Sequence, residues 1–231
     1  IPDPHFPGES LIHATRLSVQ GSDRIQRLTL HRLAGSRGEA SLDSTLEVQD
    51  SRARLEVTVN VEELAIGIVT RGTNLATLPR HRIEAQLAME GATYRDLAAS
   101  LNADLLLTGG PGTVSNTGYS FATESFSAQF LSTLLPGLET VKADMEVSCT
   151  VLALRARDGV VKLDPGFVFR TGRVDMSARG VIDLRDESLA VRFDNQARKG
   201  LGISAASLVN PYVQISGTLA KPALGLDLKS S

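Results

Sequence analysis

Apolar and polar residues alternate with a period of two along much of this chain, and that pattern limits what it can fold into more than any other feature. Arg54, Glu56, Thr58 and Asn60 alternate with Leu55, Val57, Val59 and Val61, and Arg82, Glu84, Gln86 and Ala88 with Ile83, Ala85, Leu87 and Met89. Further on, Val174, Met176 and Ala178 oppose Asp175, Ser177 and Arg179, and Leu189, Val191 and Phe193 oppose Ala190, Arg192 and Asp194. Successive side chains of a strand point to opposite faces, so each run predicts a sheet with one apolar and one wet face. Short polar or glycine-bearing links at Arg157-Asp158-Gly159, Arg170-Thr171-Gly172-Arg173 and Arg185-Asp186-Glu187 predict hairpin turns, hence an antiparallel meander.

Two helices are expected to interrupt the strands. Thr93 followed by Asp96 has the spacing of a capping box, with Leu97 and Leu101 as an apolar stripe behind it. A second helix from about Thr123 or Ser125 would carry Phe126, Phe130, Leu131, Leu134 and Leu135 on one side until Pro136-Gly137 stops it. That stripe either packs on the sheet or touches a membrane or partner. The proline-bearing start, Ile1 to Ser10, reads as an extended lead-in, and Asn195 to Asn210, rich in Gly, Ala and Ser, as a long loop or frayed helix. The 231 residues fit one all-β domain, or two halves of one continuous sheet.

Composition removes several function classes. With 42% hydrophobic residues the chain is suited to fold in water, and a net charge of −2 with scattered Arg and Lys leaves no basic stripe to track nucleic acid. Aromatic residues are only 4% and Trp is absent, which weakens any reading that needs stacking platforms. Cys149 is the lone cysteine, and its place in the run Met145, Val147, Cys149, Val151 reads as a small buried hydrophobe. His5, His13, His31 and His81 lack metal-ligand spacing, and no GxSxG elbow is present, so neither metal site nor catalytic residue is expected. Gly109-Gly110-Pro111-Gly112 lacks the order of a phosphate loop and reads as a turn. Glu62-Glu63 and Asp186-Glu187 read as solvated acids at turns or helix starts. No stretch of about 18 apolar residues could span a bilayer as a helix. The opening Ile1-Pro2-Asp3-Pro4 lacks an initiator Met and reads as part of a longer chain.

The ordered set of motifs over residues 91–227 resembles the C-terminal region of the AsmA-like family of bacterial envelope proteins, relatives of TamB-type bridge-like lipid transporters. The resemblance rests on Gly91-Ala92-Thr93 leading to Leu97-Ala98-Ala99-Ser100-Leu101-Asn102, then Gly112-Thr113-Val114 and the helix closing at Leu134-Leu135-Pro136. It continues through Cys149 ahead of Arg157-Asp158-Gly159-Val160, then Gly180-Val181-Ile182-Asp183-Leu184 followed by Leu189, and Pro211 to Leu219 closing at Pro222. Ala103 departs from the glycine usual in the family after Ser-Leu-Asn, a change expected to tighten a turn. The resemblance divides the chain into 1–90, an N-terminal β portion of the same sheet, and 91–231, the AsmA-like region. It implies a periplasmic protein anchored in the inner membrane by an upstream segment, without catalysis or cofactor, whose apolar sheet groove moves phospholipid toward the outer membrane and supports envelope integrity.

The expected fold is therefore mainly β with a few short helices: a long curved antiparallel sheet forming a groove, the alternative being a closed β-sandwich. Two short helices cannot cover the apolar face of about ten strands. Leaving ten Val, Leu or Phe side chains in water forfeits on the order of 20 kcal/mol, more than a domain's net stability of about 5 to 15 kcal/mol. An open trough would favour an apolar occupant. The groove residues expected are Leu55, Val57, Val59, Ile83, Leu87, Val174, Met176, Val191, Phe193, Val213 and Ile215, with Phe126, Phe130 and Leu134 as a helical cap. A closed sandwich would instead be an interaction module docking an envelope protein partner, and an enzyme acting on envelope glycans would need a polar cleft with paired carboxylates.

Overall fold

Two-residue turns set the architecture. In the computed structural model, which describes residues 14–65, 75–114, 145–172, 174–198 and 212–226, Asp50-Ser51 (φ 48° and 65°) and Asp158-Gly159 (φ 48° and 76°) occupy the left-handed region. These turns match the right-handed twist of the strands they join and return the chain antiparallel beside itself. Repeated along the chain, such returns build one open, curved, 13-stranded antiparallel sheet.

Strands β1 (Ala14–Gly21), β2 (Ile25–Gly35), β3 (Gly38–Gln49), β4 (Arg52–Ala65), β5 (Arg80–Gly91) and β6 (Asn102–Gly109) follow one another in space. The order continues through β8 (Met145–Arg157), β9 (Val160–Thr171), β10 (Val174–Asp183), β11 (Ser188–Ala197), β12 (Tyr212–Thr218) and β13 (Lys221–Leu226). The short β7 (Gly112–Val114) continues past β6 along the same partner, β8. The sheet runs without a break across the expected boundary between residues 90 and 91. Among the described residues β1 and β13 are its two outermost strands, so the described strands do not form the closed sandwich kept as the alternative.

All three expected hairpins form, joining β8 to β9, β9 to β10 and β10 to β11. The first helix is α1 (Tyr94–Ala99), where the Thr93 amide donates to Asp96 Oδ2 at 3.1 Å and the Asp96 amide to Thr93 Oγ1 at 3.2 Å. A six-residue helix is about 9 Å long, whereas the sheet, at about 4.8 Å per strand, is roughly 50 Å across. α1 cannot cover it. The expected second helix, the lead-in through Ser10, and most of the span from Asn195 to Asn210 lie outside the described residues. Asn195 to Ala197 are the end of β11 and not a loop, because they pair with Val174 to Met176.

The glycine run 109–112 is a link between β6 and β7 and opens no helix. A Cβ on Gly109 would sit 2.0 Å from the His81 ring and one on Gly112 2.3 Å from the Pro79 nitrogen, so these glycines let neighbouring segments close in. β9 carries a two-residue bulge, with Ala178 opposite Phe167 but Gly180 opposite Leu163, and Pro165 sits inside it where no ladder hydrogen bond is required of it. Ala103 lies within β6 opposite Leu87 and Ala156, so its difference from glycine falls in a strand and not in a turn. Glu62-Glu63 likewise lie within β4, where Glu63 (φ 55°) forms a bulge and Glu62 faces Arg82 at 3.3 Å.

Among the described glycines of the C-terminal half, Gly180 leaves the least room for a side chain. Its φ is +155° and a Cβ would stand 2.1 Å from the Ala190 carbonyl oxygen. Backbone strain and forced displacement together predict that Gly180→Ala lowers stability by about 2 to 4 kcal/mol, read as an earlier denaturant midpoint at unchanged slope.

Candidate functional site

One face of this sheet carries an apolar row that crosses it from β1 to β13. Direct cross-strand pairing aligns Leu17, Leu30, Leu42, Val59, Ala85, Leu105 and Leu154 in a single row over seven neighbouring strands. Past the β9 bulge the row resumes through Leu163, Gly180, Val191, Ile215 and Leu224. Pairing in register keeps the same parity on the same face, so a period of two in each strand becomes a two-dimensional apolar surface.

The eleven expected groove residues all lie on this face. Leu55 pairs with Met89, Val57 with Leu87, Val59 with Ala85 and Ile83 with Val61, and all of these expected residues are half-buried. On the other half, Met176, Val191, Phe193 and Val213 are buried together with Leu163 and Ala178 in a cluster flanked by Ile215, while Val174 is half-buried. Burial is thus graded across the sheet. Val213 is fully buried, whereas Leu28, Leu17 and Val19 near the β1 edge are 40%, 55% and 70% exposed. The structure therefore separates the expected set into core residues and surface residues. Phe126, Phe130 and Leu134 lie outside the described residues.

The sequence list held only Val59, Val191 and Ile215 of this row and omitted the rest, Leu30, Leu42, Leu105 and Leu154 among them. Part of their signal was present as alternation in Leu28-Thr29-Leu30, but elsewhere it is masked by residues such as Ser44 on the apolar face and Leu106, within the unbroken run Leu105-Leu106-Leu107, on the other. Cys149 is a correction. A register shift after Val147 sets it opposite Arg170 on the polar face, and it is only half-buried, so it is not the core residue its alternating run suggested.

The opposite face is a lattice of exposed ion pairs. Arg32 meets Glu39 at 3.0 Å, Arg82 meets Glu84 at 2.8 Å and Arg54 meets Glu56 at 2.7 Å. Such pairs contribute little individually, and here they mark the wet side. A shallow depression of about 660 Å³ on this side includes Glu84, Asp104, Arg155 and Lys162. Hydrogen bonds from Arg157 and Arg155 hold the Asp104 carboxyl below the usual carboxylate range, which leaves it unsuited to donate a proton near neutral pH. In the β10–β11 turn, the Arg185 guanidinium likewise holds Asp183 down to about 2.

His81 is buried with Nδ1 3.1 Å from the Pro79 carbonyl oxygen, and His31 is exposed beside Ser18. Among the described residues no group of His, Cys, Asp and Glu side chains is placed to hold a metal ion. Comparison of the chain with protein-family models, curated proteins and solved structures found no match.

The burial gradient makes a direct prediction. Val191→Glu places a charge in the buried cluster and is expected to destabilise by about 3 to 5 kcal/mol, whereas Val57→Glu on the half-buried part should cost about 1 kcal/mol. Chemical denaturation of the two variants side by side measures the difference.

Proposed function

We propose that this chain binds the acyl chains of phospholipid along the apolar face of its open sheet, without catalysis, as part of a bacterial envelope protein that carries phospholipid toward the outer membrane. One observation carries the reading: the apolar row crosses the sheet in register, and its surface grows more exposed from the buried cluster toward β1. Apolar surface of that extent attracts an apolar occupant. Its composition favours acyl chains over a protein partner. Protein interfaces concentrate binding energy in Trp, Tyr and Arg, whereas the row is made of Leu, Val, Ile and Ala with one Gly. Aliphatic side chains offer non-directional contact that suits a hydrocarbon tail and discriminates poorly among headgroups. The periplasmic setting, the phospholipid cargo and the anchoring of the parent chain in the inner membrane come from the resemblance to AsmA-like proteins.

Native mass spectrometry of the purified chain, with organic extraction and lipid analysis of the same sample, tests the reading. Phospholipid in near-stoichiometric amount is the expected result, and Val57→Glu should reduce occupancy to about a tenth while retaining the fold. A chain that remains free of lipid after incubation with phospholipid vesicles would overturn it.

A further inference from the structure

On the polar face, cross-strand pairing commonly sets opposite charges against each other. Glu47 and Glu90 stand opposite Arg54, Asp104 opposite Arg155, and Asp175 opposite Arg170. Where like charges meet at Arg16 with Arg32 and at Glu39 with Glu62, a counter-ion is supplied, since Glu39 holds Arg32 at 3.0 Å and Arg82 meets Glu62 at 3.3 Å. One patch lacks that compensation. Arg155 of β8 lies directly opposite Lys162 of β9, and Arg179 of β10 directly opposite Arg192 of β11. Lys162 pairs with Val181, two residues from Arg179, so the two cationic pairs join diagonally into one patch over neighbouring strands. All of these cations are exposed. Asp104 holds Arg155 at 2.9 Å, but among the described residues neither Lys162 nor Arg179 forms an ion pair. The acids nearest along the same strands are Asp164, two residues past Lys162, Asp183, held by Arg185, and Asp194, two past Arg192; none of them bridges to Lys162 or Arg179.

Like charges directly opposite each other are destabilising, and a break in the pairing rule without local compensation is expected where a ligand supplies the missing charge. We propose that this patch binds a small phosphate-bearing anion, with Lys162 and Arg179 as its central contacts and Arg155 and Arg192 at its flanks. A guanidinium matches phosphate oxygens with paired hydrogen bonds, and the Lys162 ammonium adds a point charge beside it. Diagonal neighbours on a sheet face stand about 7 to 8 Å apart, close enough for a Lys and an Arg side chain to close on one group. The exposed Val181 and Ala190, which pair with each other next to Arg179 and Arg192, put no carboxylate between the two cationic pairs. The rest of the face selects the size of the occupant. Glu39, Glu56, Glu84 and Glu90 share it, so an extended anionic surface such as a charged bilayer would meet them too, whereas a small anion meets the cations alone. The patch faces away from the apolar row, so the proposal is independent of what lies there.

Isothermal titration calorimetry of the 231-residue chain with inorganic pyrophosphate at low ionic strength, alongside chemical denaturation, tests the site. The expected result is saturable binding that weakens about tenfold in Arg179→Gln and is unchanged in Lys221→Gln, a cation at the start of β13. Without pyrophosphate, Arg179→Gln should raise the denaturant midpoint, because the repulsion from Arg192 is removed. A midpoint that stays or falls would remove the premise. Absence of saturable binding would overturn the proposal, as would binding that Arg179→Gln leaves intact or that Lys221→Gln weakens equally. So would a chain that binds phosphatidylglycerol vesicles through these cations but not pyrophosphate.

Discussion

A sheet with one apolar face has to keep that face from water, and the rest of this structure depends on how that is done. Each fully buried Val, Leu or Phe contributes about 1.5 to 3 kcal/mol, so a row spanning the sheet is worth more than the net stability of a typical domain. The C-terminal half meets the demand internally, through the cluster of Leu163, Met176, Ala178, Val191, Phe193 and Val213. The N-terminal half leaves the same face half-buried and then exposed. One pattern of alternation thus produces a core at one end of the sheet and a partly exposed apolar surface at the other.

Local chemistry holds the surface in register. Left-handed turn residues at Asp50-Ser51 and Asp158-Gly159 fix which residues face each other, and a pairing error of one residue would invert every side chain beyond it. The bulge in β9 lets the strand bend while Leu163 and Phe167 both stay on the apolar side. At the far end, the close approach of His81 and Pro79 to Gly109 and Gly112 packs the link between β6 and β7. The ion pairs on the other face keep it wet, so both faces agree on which side is available to an apolar occupant.

Much of this was legible in the sequence because period-two alternation and turn residues are local. The strands around Val57, Leu87, Met176 and Val191, the hairpin at Asp158-Gly159 and the Thr93–Asp96 cap all act over a few residues. What was not legible depends on contacts between distant segments. Alternation names the apolar face but cannot say whether a second layer covers it, so the open sheet and the closed sandwich read alike. Cys149 changed face because of a register shift that no local pattern announces. Asn195 to Ala197 read as a loop from their polar and small side chains, yet the partner strand β10 holds them extended. The division of the eleven groove residues into core and surface follows from sheet curvature and packing, which no single strand encodes.

The central claim is that acyl chains lie on the apolar face, and residue-resolved photocrosslinking tests it most directly. Phospholipid bearing a photoactivatable group in its tail would be incubated with the chain, irradiated, and the adducts mapped by mass spectrometry. The account predicts a period-two footprint, with adducts at Leu30, Leu42, Val59, Ala85 and Leu105 and not at Thr29, Asp43, Thr58, Gln86 and Asp104, which pair in register on the opposite face. Adducts distributed over both faces, or confined to the polar one, would contradict it.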